Sequence, residues 1–273
     1  MHQAIIGGYV ADRVGWAFAS GYQAALRALF PGTPQDRICA LCVTEADGNS
    51  PKAIKTTLTR DDARWRLSGA KRWTTLGPDG ALFFVAARDL AASTQRVALR
   101  VARIDSRQAG ITIEHMPPTR FVPEVPHAQL SFVDVAVADE ALLPGDGYDN
   151  YVKPFRTVED IHVQAAVLSY LMREGQRLGW PDGWHERLSA LLAALGKIAD
   201  MPAAEPETHV ALAGALAISG GLIGEADALW REAAADPAAL RWQRDRELLQ
   251  VAGQARELRT RRAWEKLRRP APG

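Results

Sequence analysis

The chain has 273 residues, 47% of them hydrophobic, which is enough to bury the core of one or two domains. With 33 Lys and Arg against 32 Asp and Glu the net charge is +1, so no global field draws it to nucleic acid or to a membrane surface. No stretch reaches the roughly 18 apolar residues of a membrane span, and "MHQAIIGGYVADR" lacks the basic start and apolar run of a signal peptide, so a soluble cytoplasmic protein is expected.

Residues 10–30 carry apolar side chains at helical spacing (Val14, Phe18, Tyr22, Leu26, Leu29) and predict one helix, ended by "PGTP" at 31–34. From about 38 to 137 the texture becomes short and alternating. "RICALCV", "TTLTRDDARWRLSG" with a hairpin break at Asp61–Asp62, "ALFFVAAR", "RVALRVARI", "GITIEHM" and "HAQLSFVDVAV" predict strands separated by turns at the spacing of a sandwich or barrel. "LLPGDGYDN" at 142–150 reads as a linker. Beyond it four helical blocks are expected, at roughly 157–178, 183–200, 206–234 and from 236, where Asp236 suits a cap and Pro237 the first turn. Long helices joined by short loops read as an antiparallel bundle.

Several conspicuous residues have plain explanations. Cys39 and Cys42 have CxxC spacing, but no second pair accompanies them, so they read as small buried strand residues and not as zinc ligands. His115, His127, His162, His185 and His209 sit at no metal-ligand spacing, and no metal is expected. The last helical block carries many arginines interleaved with Glu247, Glu257 and Glu265, the pattern of a solvated, ion-paired face.

Three phrases remain. "LCVTEADGNS" at 41–50, "LSGAKRWTTLG" at 67–77 and "LSFVDVAVADEALLPGDGY" at 130–148 resemble, in the same order, the V-T-E-P-x-x-G-S-D, G-x-K-x-W-I-T and F-x-D-V-x-V-P motifs of the acyl-CoA dehydrogenase family. The resemblance implies an α+β chain: a remnant of an N-terminal helical domain (1–37), a middle antiparallel β-barrel or sandwich domain (38–148), and a C-terminal four-helix bundle (149–273). It also implies an oxidoreductase of fatty acid metabolism that binds FAD and acts on the CH–CH bond of an acyl-CoA or related thioester. Carried over residue by residue, Thr44 hydrogen-bonds the flavin ring, Trp73 stacks on it and Thr75 bonds near its reactive nitrogen. Cys42 and Val43 line the same face with their backbone, and Asn49 and Ser50 stand where the family contacts flavin phosphate or thioester. The physical sense is independent of the name, because a flat ring needs an aromatic wall and a few aimed donors.

The chain also departs from the family pattern. Ala46 replaces the motif proline, the turn is one residue short, and Pro51 stands near the usual Asp. The family's Arg and Phe between the first two bundle helices are replaced by "REGQRLGWPDGW", with Arg173 and Arg177 nearby. "AISGGLIG" echoes Q-x-x-G-G-x-G with Ala217 at the Gln position, and its glycine pair reads more simply as a close helix crossing. The catalytic glutamate position falls on Gly253. Some family members carry that glutamate on the first bundle helix, where Val158 aligns with it and Glu159 stands next to it. A helix N-terminus capped by Thr157 accounts for Glu159 and Asp160 without catalysis. Three functions follow: an acyl-CoA dehydrogenase with weakened catalysis, a non-catalytic subunit pairing with a full-length dehydrogenase, or a flavin oxidase or monooxygenase that needs no carboxylate base. The resemblance further implies homo- or hetero-oligomers through the C-terminal helices.

Overall fold

The computed structural model describes residues 1–61, 64–92 and 97–269. The elements in chain order are α1 (His2–Val10), α2 (Val14–Leu29), β1 (Cys39–Cys42), β2 (Thr57–Asp61), β3 (Arg64–Thr75), β4 (Leu82–Asp89), β5 (Leu99–Asp105), β6 (Ile111–His115) and β7 (His127–Val137). Then come α3 (Lys153–Leu178), α4 (Asp182–Ala199), α5 (Pro206–Glu232), α6 (Pro237–Asp245) and α7 (Gly253–Leu267). Two compact units result. One holds Leu29–Pro118 and Glu124–Phe155; the other holds Met1–Ala28, Thr119–Pro123 and the chain from Arg156 onward.

The first unit is a single seven-stranded sheet in the order β1-β4-β2-β3-β7-β6, with β5 paired to the other side of β4. The sheet is mixed and open. β4 runs parallel to both β1 and β2, whereas the β2–β3, β3–β7, β4–β5 and β6–β7 pairs are antiparallel. The expected antiparallel barrel or sandwich is corrected accordingly. Alternation in a sequence reports which face a residue occupies, but not the direction of the neighbouring strand. The β2–β3 hairpin is present, with Asp61 opposite Arg64, and its turn at Asp62 and Ala63 lies outside the described residues. β4 is buried from Leu82 to Ala87, as a central strand covered on both faces requires. One continuous core joins Cys42, Leu58, Leu67, Phe83, Val85, Leu130, Phe132 and Val135. Cys39 and Cys42 are buried, free thiols of β1, and burial pushes the Cys42 thiol up to about 12.

The second unit is helical. The single helix expected at 10–30 is α2, which starts at Val14, and a further helix, α1, precedes it from His2 to Val10. Gly8 lets α1 approach α3 closely, since a Cβ there would lie 2.0 Å from the Ala166 carbonyl oxygen. α3 starts at Lys153, directly after a π-helical turn at Tyr148–Val152. Thr157 is therefore a buried helix-interior residue and not a cap, and Glu159 and Asp160 lie beyond the first turn, where the helix dipole has faded. α5 packs between α4 and α7. Its buried residues Leu212, Ala215, Ser219, Leu222 and Ala226 recur every three or four positions, while Gly214, Gly220, Gly221 and Gly224 face open space. The glycine pair thus makes no close crossing among the described residues. α5 is long and apolar enough to cross a membrane, contrary to the sequence expectation, although one such helix is also what a packed core helix looks like. α6 starts as expected: Asp236 accepts from the Ala238 backbone N–H at 2.8 Å and Pro237 follows it.

Candidate functional site

Two places in the molecule gather chemistry-bearing residues, one in each unit. The first lies at one end of the sheet, where the loop after β1 meets the end of β3. "TEADGN" forms a tight turn: Glu45 and Gly48 exchange backbone hydrogen bonds at 2.9 and 3.0 Å, and Gly48 takes φ +113, a conformation other residues resist. The turn is tied to β3 by the Arg72 N–H, which donates to the Thr44 carbonyl at 2.9 Å.

β3 is irregular at this point. Lys71 lies opposite Leu130 and Thr74 opposite Ala128, so β3 carries one residue more than β7 over this span. The bulge puts Trp73 at φ 57, a left-handed conformation rare for a bulky residue, and leaves its side chain 46% exposed. Strain of this kind persists only where the surroundings over-determine it. Here the Trp73 N–H donates to the Met116 Sδ at 3.3 Å, the Arg72 guanidinium lies 5.7 Å from the ring centroid, and His127 meets the ring edge-on at 6.2 Å. The hydroxyl of Thr75 lies 3.4 Å from His127 Nε2, and burial holds the His127 imidazole below its usual pKa. Thr44 is half-buried, and its hydroxyl has no hydrogen-bond partner among the described residues. The structure therefore brings Thr44, Trp73 and Thr75 to one end of the sheet. Asn49 and Ser50 are exposed on the turn, with the Ser50 carbonyl accepting from Ala53 and Ile54 N–H. The Cys42 side chain faces the core, and the Val43 carbonyl is taken by Lys71 Nζ at 3.2 Å.

Beneath this loop pair lies a feature the motif reading passed over. Lys71 is 1% exposed, and its Nζ donates to Glu45 Oε1 at 2.6 Å. Glu45 also accepts from Thr56 Oγ1 at 2.7 Å, from Thr56 N–H at 3.1 Å and from Lys55 N–H at 2.7 Å. Burial opposes the Glu45 carboxylate, but these donors outweigh it and hold its pKa below the usual range. Burial draws Lys71 down, offset in part by Glu45. A Glu in a loop and a Lys in a strand, 26 positions apart, give no sign in the sequence that they meet.

The second place is the junction of α3 and α7. Asp160 receives Arg256 Nε and Nη2 at 3.0 and 2.7 Å and Arg259 Nη2 at 2.8 Å. Arg256 and Arg259 of the last helix thus pair with Asp160 here, while Arg246 pairs with Asp227 and Arg120 with Glu247. Among the described residues no ion pair forms through Glu257 or Glu265, which corrects the expected local ladder. Glu159, about 100° around the helix from Asp160, has no hydrogen bond or ion pair among the described residues. It keeps a minor share of its surface open, yet burial and the adjoining Asp160 charge push its carboxyl up to about 7. Gly253, the first residue of α7, stands one turn before Arg256, and a Cβ there would meet nothing within 4 Å.

A mixed sheet with paired loops at one end, joined in sequence to a set of long helices, is the fold found in solved acyl-CoA dehydrogenases. Residues 40–135 match the family description "Acyl-CoA dehydrogenase, middle domain". The match covers about a third of the chain, and it is the middle-domain segment that resembles the acyl-CoA dehydrogenases. Over 143 residues it is 29% identical to benzylmalonyl-CoA dehydrogenase of Aromatoleum aromaticum, a match covering 51% of this chain and 36% of that relative. The chain thus spans about a third of the curated relative's length. Butyryl-CoA dehydrogenase from Megasphaera elsdenii superposes with a TM-score of 0.66 at 17% identity, over 92% of this chain and 78% of that one. Glutaryl-CoA dehydrogenase from Mycobacterium smegmatis in complex with FADH2 gives 0.66 at 15%, over 92% and 75%. At these identities the structural likeness establishes the fold alone.

Proposed function

We propose that the chain is an FAD-binding oxidoreductase of acyl-CoA dehydrogenase type, acting weakly on the CH–CH bond of an acyl thioester. One observation carries this reading: Trp73, a half-exposed indole held in a strained left-handed bulge beside the uncommitted hydroxyl of Thr44. Exposing a large aromatic and straining its backbone are both unfavourable, and a protein keeps such a feature where a flat ligand covers it. The residues fit the flavin that the family uses. Trp73 is the stacking wall, Thr44 and Thr75 are the hydroxyl donors, and the backbone of Cys42 and Val43 lines the same loop. Asn49 and Ser50, open on the turn, suit phosphate or thioester contacts. The cofactor, when bound, accepts the two electrons removed from the substrate; Trp73 and the two threonines orient its ring and shield it from water.

The chain's own part in the chemistry is removal of a proton next to the thioester carbonyl. Gly253 has no side chain for that step. Glu159 is the carboxylate at the same α3–α7 junction that has no partner, and a carboxyl poised near neutral pH suits a general base. Its displacement of one residue from the aligned position at Val158 limits its reach, so turnover by the isolated chain is weak and depends on Glu159. The domain boundaries at 37 and 148, the completion of a four-helix bundle by the C-terminal helices, oligomerisation through them and a cytoplasmic setting belong to the same reading.

A second reading is favoured by Gly253 and by the open glycine face of α5: a non-catalytic subunit that pairs with a full-length dehydrogenase. The deciding experiment is the flavin absorbance of the purified protein, followed by reduction of an artificial electron acceptor with a panel of acyl-CoAs, wild type against Glu159→Gln. A colourless protein that takes up no added FAD overturns the flavoprotein reading. Robust wild-type turnover overturns the weakened one, and equal turnover in both proteins removes Glu159. Mass photometry showing only a 29.8 kDa species overturns the oligomer.

A further inference from the structure

We infer that the buried Glu45–Lys71 pair is a positioning device that sets Trp73 and Thr44 for ligand binding; this rests on the flavin reading given above. Three observations support the inference. First, the pair joins the two site loops directly, since Glu45 follows Thr44 and Lys71 precedes Trp73 by two residues, and Nζ–Oε1 is 2.6 Å. Second, Lys71 Nζ also donates to the Val43 carbonyl at 3.2 Å, and the next residue, Arg72, donates its N–H to the Thr44 carbonyl at 2.9 Å. Both sides of the loop pair are therefore held at adjoining residues. Third, Glu45 is anchored independently of Lys71 through Lys55 and Thr56 just before β2, so the charge pair is held by a third segment as well as by the turn.

A buried ion pair is a poor stabiliser compared with apolar side chains of the same volume, because two charges have been taken out of water. What it supplies is geometry. Two charge-assisted bonds from one ammonium allow one loop register, and the bulge that turns Trp73 outward begins at Lys71. A slip of the bulge by one residue would place Thr74, now 2% exposed, outward and Trp73 inward. Glu45 and Lys71 touch neither the ligand nor the reacting atoms in this proposal; they act through Trp73 and Thr44.

The test uses the full chain in three forms: wild type, Glu45→Gln, and Glu45→Gln with Lys71→Met. The double variant removes both charges while keeping an acceptor for Thr56 and the volume of the lysine stem. Glu45→Gln alone leaves the Lys71 ammonium buried without its counter-charge and should lower the midpoint; Glu45→Gln with Lys71→Gln is read if the double variant does not fold. Three readouts are taken: the thermal midpoint, FAD affinity by flavin fluorescence titration, and the near-UV circular dichroism of Trp73. The last is obtained for each form by difference against the same protein carrying Trp73→Phe, and needs no FAD. The expected result for the double variant is a midpoint close to wild type, FAD affinity lower by roughly tenfold or more, and a diminished Trp73 band. A folded variant with an unchanged Trp73 band overturns the positioning role whatever FAD does. A diminished band with unchanged FAD affinity also overturns it, because the site ligand then does not need Trp73 in place. If wild type takes up no FAD, the flavin reading fails by itself, and the Trp73 band still decides whether the pair orders the loop.

Discussion

Asp160 and Arg256 meet through two hydrogen bonds, of 3.0 and 2.7 Å, across the junction of α3 and α7. Arg259 takes the other oxygen of the same carboxylate at 2.8 Å. The two cations are spent on Asp160, and this leaves Glu159 unpaired with a raised pKa. The adjoining acids thus have opposite environments, one ion-paired with two guanidinium groups and one left without a partner.

The sign of the pH dependence follows. Glu159 binds its proton more tightly in the folded chain (about 7) than in the unfolded chain, where the ordinary value is 4.5. Between these values the folded state holds more protons, so this residue's contribution to stability falls as pH rises from about 4.5 to 7. Glu159→Gln removes that loss, and at pH 8 the variant should be more stable than wild type by about 1–2 kcal/mol, a figure reduced for the residue's partial exposure. Urea unfolding at pH 4.5 and pH 8 measures it. An equal difference at both values would show that the carboxyl titrates normally.

Asp160→Ala should behave in the opposite way to Glu159→Gln. It strands Arg256 and Arg259, whose side chains are 22% and 13% exposed, and should cost about 2–4 kcal/mol in denaturant unfolding at neutral pH. A loss below about 0.5 kcal/mol, the range of an exposed pair, would mean that the junction is solvated in solution.

Trp73→Ala and Thr44→Ala together should weaken FAD binding by about 2–4 kcal/mol, roughly 30- to 1000-fold in Kd, through loss of a ring wall and a hydroxyl donor. Isothermal titration of apoprotein with FAD checks this. Full affinity in the double variant would place the flavin elsewhere.

Gly69→Ala should destabilise the sheet by about 2–3 kcal/mol. Gly69 sits at φ +143, and an added Cβ would lie 2.6 Å from Thr56 Cα, the residue whose hydroxyl holds Glu45. The thermal midpoint of this variant is the measurement, and an unchanged midpoint would show that β2 and β3 can separate at no cost.

The sequence by itself determined the family resemblance and the kind of element in each region. Strand pattern, helical spacing, the Asp236–Pro237 start of α6 and the three ordered motifs are all local properties. They depend on side-chain period, on caps and on residue types within a few positions of one another. The tertiary structure alone decided the rest. That β4 runs parallel to β1 and β2, that Lys71 finds Glu45, that Arg256 and Arg259 choose Asp160 over Glu257 or Glu265, and that Thr157 lies inside α3 are matters of which distant segments share one buried space. A charged group is costly to bury unpaired, so its partner is set by what the fold brings within hydrogen-bond reach at low dielectric. That choice leaves no periodic trace in the chain.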